Sequence, residues 1–306
     1  MMGPFLEILL GGLMTGVLYS LVALGFVLIF KASGVFNFAQ GAMVLFAALS
    51  MARLQEWIAP TLGWVSFPVA LLLTAMIMTA LAFAIERLVL RQLINQEGII
   101  LFMATIGITY FLDGFGQTIW GSDIYKIDLY LSKDPIFIFE SVFEGGLLLD
   151  PYELMAAVIA GILVAVLAVF FQTTRVGRAL RAVADDHQAA QSVGIPLNYI
   201  WLVVWTVAGL VALVAGMMWG AKLGVQFSLT LVALKALPVL ILGGFTSVPG
   251  AIIGGLIIGA GEKLAEVYFS PFIGGGIENW FAYVLALAFL LIRPQGLFGE
   301  RIIERV

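Results

Sequence analysis

Apolar stretches of about 20 residues recur along this chain, and a run of that length is what one helical pass through a hydrocarbon core of about 30 Å requires. They lie near 5–30, 36–55, 65–85, 98–120, 152–172, 200–221, 230–245, 249–268 and 279–292, about nine passes in all. No segment alternates with the period of two that marks a barrel strand. The predicted fold class is therefore all-α: a polytopic integral membrane protein with about eight to ten transmembrane helices, some broken or re-entrant. Composition agrees, since 62% of the 306 residues are hydrophobic and only 11% are charged, against roughly 25% charged in a soluble domain. The first run lacks a basic leader and exceeds a signal core of roughly 7–15 residues, so it reads as a retained helix.

Several function classes fall away at once. With no cysteine and a single histidine, His187, the chain cannot build a disulfide framework, a thiolate centre or a His/Cys zinc site. No bound cofactor or metal is expected. The net charge of -4 and the lack of a basic patch with interleaved aromatics point away from nucleic acid. GLIIGAGEKL is the nearest approach to a nucleotide-binding loop, and it lacks the spacing and the hydroxyl. Any ATP and Mg²⁺ must be bound by a partner chain. No nucleophile and base fall together as an intramembrane hydrolase would need.

Charge orients the passes. Arg87 and Arg91, then Arg175, Arg178 and Arg181, then Arg293, Arg301 and Arg305 follow the third, fifth and last runs, which predicts cytoplasmic ends there. The loop at about 121–150 carries Asp123, Asp128, Asp134, Glu140, Glu144 and Asp150 against Lys126 and Lys133, as an outer loop would. The expectation is one transmembrane domain over 1–306, N-terminus outside and C-terminus inside, with an outer loop at about 121–150 and a cytoplasmic loop at about 173–199. Glu86 and Arg87 close the third run, where an interfacial ion pair is expected. Trp57, Trp64, Trp120, Trp201 and Trp280 near predicted ends suit an aromatic belt.

Within the inner loop, GRALRAVADDHQAAQSVG (Gly177 to Gly194) reads as an amphipathic helix with Arg178 and Arg181 one turn apart. Asp185, Asp186 and Gln188 follow, and Gly194 and Pro196 mark its stop. Ala189 and Ala190 are too small for a purely solvated face and would let another surface approach closely. Elsewhere, FNFAQG sets the amides of Asn37 and Gln40, with Phe38 and Gly41, between apolar runs. Polar groups there either line a pathway through a broken helix or form an interfacial turn. Lys235, inside an apolar run, either lines the pathway or sits near the outer interface. Gly243, Gly244, Gly250, Gly254, Gly255 and Gly259 form a small-residue run that permits close helix packing, static or gating.

These stretches together resemble the permease subunits of ABC importers of the branched-chain amino acid type. Such subunits carry segments like GVFNFAQGAMV (Gly34 to Val44), Ile85-Glu86-Arg87, the TRxGRAxRAxAxD run from Thr174 to Asp185, the GGxxSxPGAxxGGLxxG run from Gly243 to Gly259, and the closing RPxGLFG from Arg293 to Gly299. The coupling loop of such permeases runs Glu-Ala-Ala, three residues, Gly; here Gln188 stands where the acid does. Where family members often have an acid after the glycine of FNFAQG, this chain has Ala42. The resemblance implies a non-catalytic subunit of the bacterial inner membrane, importing branched-chain amino acids, urea, amides or aromatic acids. It also implies a second, related permease chain, two ATPase subunits that hold ATP and Mg²⁺, and an external solute-binding protein. A gradient-driven secondary transporter is the rival, disfavoured by the near absence of mid-helix acids apart from Asp113.

Overall fold

The structure is a computed structural model and describes residues 2–93, 96–130, 134–139, 146–185 and 187–299. The chain runs α1 (Met2–Ser33), α2 (Gln40–Leu62), α3 (Ser66–Leu88), α4 (Gly98–Trp120), α5 (Pro151–Thr173), α6 (Arg175–Asp185), α7 (His187–Ser192), α8 (Leu197–Leu223), α9 (Leu231–Gly243), α10 (Val248–Ile273) and α11 (Phe281–Ile292). Among the described residues, six stretches are long and apolar enough to cross a membrane, and one of them, Gln40–Leu93, contains both α2 and α3. The apolar α9 and α11, of 13 and 12 residues, reach only about 20 Å at 1.5 Å per residue, short of a full crossing. Fold class and spans follow the apolar runs. The sequence did not signal the small antiparallel hairpin β1 (Ile136–Ile138) and β2 (Leu147–Leu149), in which Phe137 pairs with Leu148.

Two compact units divide the chain, each gathered from separate stretches. One takes 24–130 and 164–233, and α2 is its axis. Gln40 through Ala52 are buried without interruption, because α3, α4, α8 and the turn at Phe227–Thr230 close around them. A helix apolar on every side can be stable only when so enclosed. Gly216 of α8 permits the approach: a Cβ there would stand 3.2 Å from the Ala48 Cβ and overlap the Val44 carbonyl oxygen. An isolated bridge joins Tyr125 to Val225, and Gln55 donates to the Asp128 carbonyl at 2.6 Å.

The other unit takes 1–23, 131–163 and 234–306. Its centre is the contact of α1 with α10. A Cβ on Gly255 would lie 2.5 Å from the Gly16 carbonyl oxygen, one on Gly12 2.8 Å from that of Gly259, and one on Gly259 would overlap the backbone of Gly12 and Gly16. Ser20 Oγ continues the row, donating to Gly16 O at 2.9 Å or Ile252 O at 3.2 Å. The α9–α10 turn is equally tight: Gly243 and Gly250 face each other backbone to backbone, and Gly254 lies against the Val239 carbonyl.

Candidate functional site

The break between α1 and α2 is held by its own side chains. Helix α1 stops where Gly34 takes φ +69, a conformation that suits a residue without a Cβ, and Ser33 Oγ accepts from Val35 N at 3.2 Å. Asn37 Oδ1 then accepts from Ala39 N at 3.1 Å, an Asx turn that starts the next helix. Asn37 Nδ2 faces Gln40 Oε1 at 3.4 Å. Both amides are fully buried, and Gln40 Nε2 has no hydrogen-bond partner among the described residues. The Gln40 carboxamide fills the space a side chain on Gly25 would take, while Gly41 lets the Thr230 carbonyl and Ala233 approach α2. Phe38 is the member left 41% exposed; its N–H donates to Thr105 Oγ1 at 3.1 Å, and its ring meets Phe36 and Phe102 edge-on. Asn37 and Gln40 thus occupy a buried break between α1 and α2.

The stretch around Gly177 forms two helices, α6 and α7. Gly177 allows α6 to fold back on the end of α5, where any Cβ would overlap the Phe171 backbone. Arg181 Nη1 donates to Phe171 O at 2.5 Å and Arg178 Nη1 to Thr173 O at 3.1 Å, satisfying carbonyls that the last turn of α5 leaves open. Both arginines therefore cap α5. Gly194, at φ +85, ends α7 in a left-handed turn in which Ile195 N donates to Ala190 O at 3.0 Å. Ala189 is exposed, but Ala190 is buried within the chain; the expected pair of outward alanines is reduced to one by helix phase. Val193, 75% exposed, stands beside it. Asp186 lies outside the described residues, as do the side chains of Asp185 and Gln188. Removing the cap by Arg181→Ala should cost about 1–2 kcal/mol, the worth of a charge-assisted hydrogen bond with its orphaned acceptor. A drop in thermal stability with Arg181→Ala, absent in Arg175→Ala, is the expected result.

Lys235 is held by acceptors of its own unit. Its Nζ lies 3.9 Å from Glu262 Oε1 and 3.5 Å from the Glu278 carbonyl oxygen. Glu262, only 3% exposed in the middle of α10, also binds Tyr19 of α1. Sequence reasoning missed it, although an acid inside GLIIGAGEKL was signal enough. Lys263 pairs with Glu278 at 3.4 Å, and Glu266 accepts from the N–H groups of Gly276 and Glu278, so α10 is tied to the turn before α11. Gly243, Gly250, Gly254, Gly255 and Gly259 all serve close packing, and Gly244, at φ +103, turns the chain toward α10. The expected Glu86–Arg87 pair does not form: Glu86, fully buried, binds Arg91 at 3.2 Å, while Arg87 lies over the Phe83 ring.

This arrangement can be set beside known proteins. The model of the family described as branched-chain amino acid transport system / permease component matches residues 8–293. LivH, the high-affinity branched-chain amino acid transport system permease protein of Escherichia coli (strain K12), is 26% identical over 99% of this chain and 98% of its own. BraD, the permease protein of the same description in Pseudomonas aeruginosa, is 28% identical over 99% and 98%. The solved structure of PsaBC from Streptococcus pneumoniae in complex with Fab is similar at 14% identity and a TM-score of 0.46, covering 95% of both chains. With the family model spanning α1 to the end of α11, the chain belongs to the permease components of branched-chain amino acid transport systems, and it is a multi-pass membrane protein.

Proposed function

We propose that this chain is the translocating subunit of an ATP-driven importer, taking up branched-chain amino acids or closely related small polar solutes across the cytoplasmic membrane. The observation that carries the reading is the family match over nearly the whole chain. The chain itself performs no catalysis in this reading. Two ATPase subunits hold ATP and Mg²⁺ and hydrolyse the nucleotide, a second, related permease subunit completes the membrane part as a heterodimer, and an external solute-binding protein delivers substrate. The arginine-marked ends of α3, α5 and α11 are cytoplasmic and the N-terminus is outside, as the basic bias supports.

The α6–α7 corner is the contact to the ATPase. Ala189, Val193 and Gly194 form the surface that enters its cleft, with Asp185, Asp186 and Gln188 supplying polar contacts. Arg178 and Arg181 hold the corner to α5. Closure of the ATPases moves α7, and the buried break at Asn37 and Gln40 opens in answer, exposing amides that can hydrogen-bond a solute in passage. Two mid-helix acids, Asp113 and Glu262, are the features among the described residues that would suit a gradient-driven transporter instead; Glu262 is paired with Lys235, which leaves Asp113 as the one acid such a mechanism could use.

The test is Ala189→Trp in the purified assembly. A bulky side chain at an exposed docking position overfills the contact, and a loss of about 1.4 kcal/mol would weaken docking roughly tenfold. Substrate-stimulated ATP hydrolysis should fall by about that factor while the permease inserts normally. Unchanged stimulation and subunit retention would remove the α6–α7 corner from the ATPase contact; uptake by this chain alone in liposomes without ATP would overturn the importer.

A further inference from the structure

We propose that the turn before α11 floors an outward-facing aqueous recess that receives the charged end of an α-amino acid, its carboxylate between Lys235 and Lys263 and its ammonium at Glu262 and Glu278. The inference rests on the importer reading above and narrows its cargo to zwitterions. Depth comes first. Helix α11, with 12 residues, spans about 18 Å at 1.5 Å per residue, so its start falls about 12 Å short of the far edge of a core about 30 Å thick. Gly261 of α10 lies against the Phe281 ring, which sets Glu262 at that same level, and Lys263 follows it directly. At such depth irregular backbone like that of 274–280 survives only where it is buried in protein or borders water.

The charged groups require water. Lys235, Lys263 and Glu278 all keep part of their side-chain surface exposed, and ammonium groups turned to hydrocarbon at this level are strongly disfavoured. At the other end of α9 the chain is shut: Leu297 N donates to Leu242 O at 2.8 Å and Phe298 N to Gly243 O at 3.1 Å, so the closing RPxGLFG segment straps the cytoplasmic side. The recess therefore opens outward.

Hydrogen bonding separates the frame of this recess from its binding groups. Glu266 is saturated, accepting from Gly276 N and Glu278 N at 3.0 Å each, and it fixes the turn. The other groups are loosely paired. Lys235 Nζ is 3.9 Å from Glu262 Oε1 and 3.5 Å from the Glu278 carbonyl oxygen, and Lys263 Nζ is 3.4 Å from Glu278 Oε2, against about 2.7–2.9 Å for a closed charge-assisted bond. Glu262 Oε1 is buried with no hydrogen-bond partner among the described residues, and each ammonium carries three donors. Spare donors and a spare acceptor thus meet at one place. A zwitterion, whose two charges hang on one carbon, satisfies both at once, whereas urea or an uncharged amide leaves the ammonium groups without an anion.

The test uses right-side-out membrane vesicles holding the assembled transporter, in which this chain has no cysteine of its own. Asn279, exposed beside Glu278, is replaced as Asn279→Cys, with Leu287→Cys on the exposed side of α11 as the lipid-facing reference. An impermeant thiol reagent should label position 279 and leave position 287 unlabelled. Leucine at millimolar levels should slow the labelling several-fold, and isocaproamide, which keeps the branched tail without either charge, should not. Adding Lys263→Gln or Glu278→Gln should keep the labelling, the sign of a folded recess, and weaken the protection about tenfold, as loss of one charge-assisted contact does. No labelling of position 279 from outside, no protection by leucine, or equal protection by both compounds would overturn the recess as a zwitterion site. None of these arms needs ATP, so their failure leaves the importer reading standing, and ATP-independent uptake by this chain alone would overturn that reading without touching them.

Discussion

Gly259→Leu should prevent α1 from seating on α10, and the loss should be among the largest any single substitution can produce in this chain. Space at this position is occupied by backbone: even a Cβ on Gly259 would overlap Gly12 and Gly16, and neither can rotate away as a side chain could. Overpacking a well-packed core typically costs about 1–3 kcal/mol when neighbours can relax. Here the helices themselves must part, so a cost above about 4 kcal/mol is expected, the range reserved for a few named mechanisms. Gly161→Leu on α5 is the matched control, because a Cβ there meets nothing within 4 Å. After mild detergent extraction, Gly259→Leu should lose most of its monodisperse fraction while Gly161→Leu keeps it. Equal recovery of the two would show that the α1–α10 contact does not hold this unit together.

Removing the ammonium from the buried pair should be nearly as damaging, and more so than removing both charges. Lys235→Met leaves the Glu262 carboxylate 3% exposed with Tyr19 as its remaining partner. Breaking a buried pair on one side costs about 3–5 kcal/mol, mostly for the charge left behind; with Lys235 partly exposed and 3.9 Å away, a smaller cost, about 2–3 kcal/mol, is expected. Glu262→Gln added to Lys235→Met deletes that uncompensated charge, so the double variant should melt above the single one. If the two variants melt together, the carboxylate is not relying on Lys235.

How far the sequence could be read depends on the range over which each feature is determined. Local features were legible. Runs of apolar residues marked the helices because length and hydropathy are properties of a single segment, and Gly194 with Pro196 marked the end of α7 because a left-handed turn is a local event. Pairings were not. Ser20, Gly16 and Gly12 form a small-residue row on α1 that completes the one on α10, yet more than two hundred residues separate them in the chain, and either row alone only says that some helix comes close. Glu86 shows the same limit at short range. Arg87 is next to it in sequence but points away on the helix surface, whereas Arg91, beyond the end of α3 at Leu88, is carried back by the turn. Ala189 and Ala190 look equivalent as letters, and only the phase of α7 buries one and exposes the other.

The cap on α5 bears on how motion passes through the chain. Between two helices an ordinary loop behaves as slack rope: a push on one end is absorbed by torsional freedom before the other end stirs. At Thr174 there is no slack. Gly177 N donates to Thr174 Oγ1 at 3.1 Å, and two guanidinium groups grip the carbonyls of the preceding turn, so α5 and α6 meet as a welded elbow. A displacement imposed on the short arm reaches the last turn of the long one as torque, with its direction kept.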